Sequence, residues 1–277
     1  MNHPHLPHKL RIGILVTETT SPSLAQQHGD MFSMFQQVFH QTSAIGEGQL
    51  ILDLVRFNVL DDPPQYPSTH DLDSGHYDGL VITGSTKNAH DDDPWIHTLM
   101  SFIQQLQQHP LDRKVPLVGI CFGHQIIARA LGGVCERNPH GWEFGPTLVR
   151  LTDQGRSYFG SKHTMCLNQI HQDHVPFLPP GFIRLATTEP HTSIQAMVSA
   201  DGRCLSIQGH PEISCAATTT FLDILAPQIP DAVVQDARDR LQQHAGSMDD
   251  LWLAEKILLF FCRHLHTRTT LCISPSL

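Results

Sequence analysis

The sequence predicts an α/β fold: a doubly wound, mostly parallel sheet with flanking helices, plus a C-terminal helical extension. Three observations point there. Short apolar runs alternate with helix-period segments through the first half of the chain, the pattern of βαβ units. The residues with catalytic potential follow the carboxyl ends of such runs, where sites of open α/β sheets lie. With 277 residues, 40% of them hydrophobic, the chain can build one large domain around a substantial core.

Residues 1–9 are rich in His and Pro, lack the apolar core of a signal peptide, and read as a disordered tail. The main domain is expected over 10–215 and the helical extension, packed on the same domain, over 216–277. Arg11–Thr17, with Ile12, Ile14, Leu15 and Val16, reads as a buried strand. A Thr/Ser/Pro loop and a helix over Asp30–His40 follow, then a strand over Leu50–Phe57. Asp61–Gly75 holds three prolines and reads as a loop. Gly79–Thr83 and Val115–Ile120 are further central strands, with a helix over Pro94–Gln108 between them. From Leu148 to Ile207 the pattern turns into shorter β segments. Helices are expected over Thr218–Leu225, Asp231–His244 and Asp249–His266. The last has a broad apolar face, which either packs on the domain or meets a partner.

The most informative stretch is Gly119-Ile120-Cys121-Phe122-Gly123, where an apolar run ends and an apolar-periodic segment (Ile126, Ile127, Ala130, Leu131) begins. It reads as strand, sharp turn and helix with the cysteine at the apex. A nucleophile on such a turn needs small residues two places before and after it. The helix beyond points amide donors at the sulfur and favours the thiolate. Taken alone, the pattern also fits a buried structural cysteine between loop glycines.

A second strand, Leu205–Ile207, leads into Gln208-Gly209-His210-Pro211-Glu212. In an extended segment residues two apart share a face, so Glu212 can orient the His210 imidazole and leave its other nitrogen for a thiol. Pro211 keeps the segment extended.

Gly-Ile-Cys-Phe-Gly-His-Gln (119–125) followed by Gly-His-Pro-Glu (209–212) resembles the class I (triad) glutamine amidotransferases, over about Arg11 to Cys215. The resemblance implies a flavodoxin-like sheet and a triad of Cys121, His210 and Glu212. A third match, Asp78 to Ser85, is a strand running into a tight turn. In the family this turn supplies one oxyanion-hole N–H and the residue after the nucleophile, here Phe122, another. Many members have Gly-Gly where this chain has Gly84-Ser85, so the donor is either Gly84 or Ser85. That feature places the chain closest to the standalone, GMP-synthase-like branch, which includes the plant gamma-glutamyl peptidases. A fourth match, Gln169 to Val175, is similar to the family's His-x-Asp-x-Val segment. It puts His171 and Asp173 beside the substrate, and the resemblance gives Gln125 a substrate contact as well. Gly141–Gly145 resembles a segment beside the family's pocket, where Trp142 and Glu143 either read the substrate's amino-acid head or pack in a surface loop.

A net charge of −9 spread along the chain argues against nucleic acid or an anionic membrane as partner. No apolar run approaches the roughly 20 residues of a membrane span. Seven scattered cysteines without Cys-x-x-Cys pairs suit reduced thiols and a cytoplasmic setting. Twenty histidines raise the question of a metal. His3, His5 and His8 read as solvated tail residues. His171 and His174 have ligand-like spacing, but no cysteine or acid cluster completes a site, so no metal and no cofactor are expected.

The resulting expectation is a cysteine-dependent enzyme. It hydrolyses the γ-glutamyl amide of glutamine through a thioester and supplies nitrogen to a separate synthetase or ligase. Neither Gly-x-x-x-x-Gly-Lys nor Ser-Gly-Gly-x-Asp-Ser occurs here to build the acceptor's nucleotide site. The alternatives are a standalone gamma-glutamyl peptidase acting on glutathione-like conjugates, and a catalytically silent regulatory module. The intact Cys121, His210 and Glu212 argue against the last.

Overall fold

The computed structural model describes residues 9–45, 48–110, 115–244 and 246–271. Of the tail expected over 1–9, all but Lys9 lies outside the described residues. The strands are β1 (Lys9–Val16), β2 (Ala44–Ile45), β3 (Gly48–Gln49), β4 (Ile51–Asn58), β5 (Gly79–Ile82), β6 (Leu117–Ile120) and β7 (Glu136–Arg137). After them come β8 (Glu143–Leu151), β9 (Thr164–His171), β10 (Asp173–His174), β11 (Phe182–Thr187), β12 (Ala196–Ser199) and β13 (Cys204–Ile207). The helices are α1 (Pro22–His28), α2 (Met31–Thr42), α3 (Thr69–Asp73), α4 (Pro94–Gln108), α5 (Phe122–Ala130), α6 (Asp153–Phe159), α7 (Cys215–Leu225), α8 (Asp231–His244) and α9 (Asp250–Leu271).

Nine strands form one mixed sheet in the order β4-β1-β5-β6-β13-β12-β11-β8-β9. The first five run parallel, and antiparallel pairing begins at β12. Parallel strands buried on both faces require apolar residues at odd and even positions alike, which is how β1, β5 and β6 read. Their side chains sort by parity. Ile12, Ile14, Val81, Val118 and Ile120 enter a core shared with α2 and α9. Leu15, Leu80, Ile82 and Leu117 enter a second core shared with α4 and α5. The apolar stripe of α9 (Leu253, Ala254, Ile257, Leu258, Phe261) is therefore spent on the domain, beside α2. No helix among the described residues is long and apolar enough to cross a membrane.

Three helices fall where loops or β segments are expected. α1 lies in the Thr/Ser/Pro stretch, with Pro22 in its first turn after Ser21. α3 lies inside Asp61–Gly75, started by the Ser68 hydroxyl, which accepts the Asp71 N–H at 3.1 Å. α6 is capped in the same way by Thr152, which accepts the Gly155 N–H at 3.0 Å. Each is 5 to 7 residues long, too short for a helical period to show. β8 starts at Glu143, not near Leu148, because Gly145 (φ +82°) and Pro146 break the strand pattern while the pairing with β9 continues through them.

Candidate active site

Cys121 caps α5 at the carboxyl end of β6, with φ +52° and ψ −104°. Among the described residues no other non-glycine has positive φ. Such a backbone persists only where its surroundings fix it. Here the Cys121 N–H donates to the Ile207 carbonyl at 2.9 Å and the Gly123 N–H to the Thr83 carbonyl at 3.2 Å. The flanking glycines are sterically required. A Cβ on Gly119 would stand 2.4 Å from the Gly123 carbonyl oxygen, and one on Gly123 would stand 2.4 Å from that of Ile82. The Phe122 ring stacks on Trp95 at 5.4 Å, anchoring the helix start in the α4/α5 core. As the first residue of the helix, Phe122 has an N–H with no intrahelical acceptor.

His210 and Glu212 follow β13, the parallel neighbour of β6. The His210 Nδ1 lies 2.8 Å from a Glu212 carboxylate oxygen, and both side chains are buried. Asn168 of β9 brackets the segment. Its carbonyl accepts the His210 N–H at 2.9 Å, and its side-chain amide donates to the Ile213 carbonyl at 2.8 Å. Burial works against a charged imidazole, but the Glu212 carboxylate and the Cys121 sulfur beside it outweigh burial and hold His210 up at about 10. The Cys121 Sγ also lies 4.0 Å from the Ile170 carbonyl oxygen.

The turn after β5 closes over these groups. A Cβ at Gly84 would meet the His210 ring at 2.9 Å and the Cys121 Cβ at 3.6 Å, so only glycine brings the backbone this near. Thr17 donates its hydroxyl to the Gly84 carbonyl at 3.0 Å. The Glu18 carboxylate accepts the Thr86 N–H at 2.5 Å and the Ser85 hydroxyl at 3.4 Å. Gly84, Ser85, Cys121 and His210 share a cavity of about 440 Å³ whose walls also include Gln125, His171, Asp173 and Trp142.

The three residues expected beside the substrate all reach this cavity, with most of their polar atoms engaged. The Gln125 amide donates to the Asp173 carbonyl at 3.0 Å and to the Gln208 side chain at 3.1 Å. His171 places Nδ1 2.9 Å from the Asp173 carbonyl and Nε2 2.9 Å from the Glu143 carboxylate. Asp173 faces Arg137 at 3.0 Å and His90 at 3.3 Å, yet burial pushes its carboxyl up. Burial would also raise Glu143, but the hydrogen bond and charge of His171 keep that carboxyl below its usual range. Glu143 thus braces His171 from behind, while Trp142 lines the cavity. Among the described residues no group of three or more His, Cys, Asp or Glu is arranged to hold a metal ion.

Linear reading missed Thr17, Glu18, Asn168 and Gln208. Glu18 had one available signal, its place just past the carboxyl end of β1. Asn168 had none, since it belongs to an antiparallel strand distant in sequence from His210.

The family model for class I glutamine amidotransferases matches residues 51–223. A glutamine amidotransferase-like protein of Schizosaccharomyces pombe is 32% identical over 250 residues, covering 90% of this chain and 97% of that protein. Gamma-glutamyl peptidase 5 of Arabidopsis thaliana is 35% identical over 207 residues, covering 73% and 75%. Among solved structures, a glutamine amidotransferase from Thermotoga maritima superposes with a TM-score of 0.63 at 17% identity, covering 92% of this chain and 99% of that one. At that identity the likeness speaks for the fold, and the sequence matches speak for the family. The chain belongs to the class I glutamine amidotransferases, cysteine-dependent enzymes of γ-glutamyl amide hydrolysis.

Proposed function

We propose that this chain hydrolyses the γ-glutamyl amide bond through Cys121, His210 and Glu212 by way of a γ-glutamyl thioester. The observation that carries the proposal is the 2.8 Å His210–Glu212 contact set against a strained cysteine at a helix N-terminus. The Cys121 thiolate attacks the γ-carbonyl carbon, forming C–S and placing charge on oxygen. The Phe122 N–H and that of Gly84 or Ser85 receive this oxyanion. Collapse breaks C–N, and the departing nitrogen keeps the electron pair and takes a proton from His210. His210 then removes a proton from water, which attacks the thioester carbon and releases glutamate and the thiolate. Glu212 fixes the ring orientation and stabilises the imidazolium. Gln125, His171 and Asp173 shape the place of the glutamyl head, with their polar atoms pre-set by internal bonds. The nitrogen released from glutamine passes to a separate acceptor enzyme. The glutamine-hydrolysing component of the GMP synthase of Saccharolobus solfataricus, 35% identical over 116 residues, supports that reading.

A second reading, a gamma-glutamyl peptidase, is favoured by the Arabidopsis relative and by a cavity large enough for more than a glutamyl group. Glutamate release from glutamine and from glutathione decides between the two and tests both. Cys121→Ala is expected to lower either activity by on the order of 10³-fold or more. Unchanged release in that variant refutes the proposal.

A further inference from the structure

The cavity that holds Cys121 has two unlike walls. On one side Lys87, Asn88, Arg137, Gln172 and Asp173 present polar groups, cross-linked by Arg137 to Asp173, Gln172 and Asn88. The other side is apolar: Met31, Trp142, Ile170, Ile213, Phe221 and Leu225. Trp142, Ile170, Phe221 and Leu225 back onto one cluster built on Phe144, Leu222 and Ile229. Met31 and Ile213 belong to the main core, against which Ile170 and Phe221 also pack, so the surface is continuous. Phe221 and Leu225 are four residues apart, on one face of α7, and both remain half-buried where they meet the cavity.

Ammonia, the group that leaves glutamine, is small and strongly hydrated, and such a wall does nothing for it. Half-exposed apolar area beside a reacting carbon is covered favourably only by an apolar substituent. The cavity, about 440 Å³, falls in the range that encloses a ligand much larger than an amino acid. We infer that the preferred substrates are γ-glutamyl amides whose leaving nitrogen carries a bulky apolar group. That group lies against Phe221, Leu225 and Trp142 while the γ-carbonyl sits at Cys121. The inference rests on the hydrolase reading and adds the class of leaving amine. The bonds made and broken are the same, and the released product is the free amine protonated by His210.

The test uses the full chain and a series of alkyl amides of similar reactivity: γ-glutamyl methylamide, n-butylamide and 2-phenylethylamide, with glutamine alongside. Values of kcat/KM are expected to rise along the series, by roughly tenfold or more from methylamide to phenylethylamide. Phe221→Asn should lower the phenylethylamide-to-methylamide ratio by about tenfold, while Phe221→Leu, which keeps the wall apolar, should retain most of it. A flat or falling series in the wild-type chain, or an unchanged ratio in Phe221→Asn, overturns the inference and leaves the hydrolase reading standing. Turnover of none of the amides, glutamine included, refutes the hydrolase reading and this inference with it.

Discussion

At the scale of single residues, the imidazole of His210 is enclosed by protein and nevertheless held charged, because Glu212 and Cys121 face its two nitrogens. This has a consequence for stability. A raised histidine contributes stability that is fully present below its ordinary 6.5 and is lost as pH rises through about 10. Glu212→Gln keeps an acceptor for Nδ1 but removes the charge, so the loss should shift to lower pH. Melting temperatures of wild type and variant, compared from neutral pH up to about 10, read this directly. In activity, Glu212→Gln should cost less than His210→Ala, which is expected to cost on the order of 10³-fold or more. Equal losses in steady-state glutamate release would deny Glu212 a merely orienting part. Cys121, His210 and Glu212 were legible in the sequence because each sits in a short motif whose own geometry, a tight turn or an i, i+2 strand pair, explains the residue. The commitments of His171 and Gln125 to Glu143 and Gln208 were not, since those contacts cross between separate segments.

At the scale of elements, the strand–turn–helix around Cys121 is a steric device. Gly123→Ala would push a methyl group into the Ile82 carbonyl, 2.4 Å away. Relief requires β5 and α5 to separate, the two elements that hold the Gly84 turn and the cysteine in register. The expected cost is about 1–3 kcal/mol of stability, accompanied by a fall in kcat. Urea titration and steady-state kinetics check the two halves, and a fully stable, fully active variant would show that the elbow tolerates a side chain. The central strands were readable from the sequence because burial on both faces leaves uninterrupted apolar runs in β1, β5 and β6. The short helices α1, α3 and α6 were not, because local caps specify them where too few residues exist to set up a period. The early start of β8 was hidden for a related reason, since Gly145 and Pro146 remain in the ladder through pairing with β9.

At the scale of the whole molecule, the C-terminal helices complete the cavity. α7 supplies Phe221 and Leu225 to its wall, and α8 is fastened to β8 by Arg240. That guanidinium donates to the carbonyls of Pro146 at 2.6 Å and Phe144 at 2.7 Å and to the Thr147 hydroxyl at 2.8 Å. Arg240→Ala removes these bonds at once, and the expected loss is about 1–3 kcal/mol by chemical denaturation. A negligible change would mean that the apolar packing of Ala237 and Leu241 alone docks α8. The sequence marked α8 as a helix but not its seat, because Arg240 reads equally well as a solvated charge until β8 is placed beneath it.

The central claim is a covalent γ-glutamyl intermediate on one cysteine among several buried ones. Rapid mixing of His210→Ala or wild-type chain with a γ-glutamyl substrate, an acid quench, and peptide mass spectrometry would locate it. A γ-glutamyl adduct on the peptide containing Cys121, absent in Cys121→Ala, is the expected result. An adduct on Cys135 or Cys204 instead, or glutamate released with no adduct at any time point, would contradict the proposed mechanism.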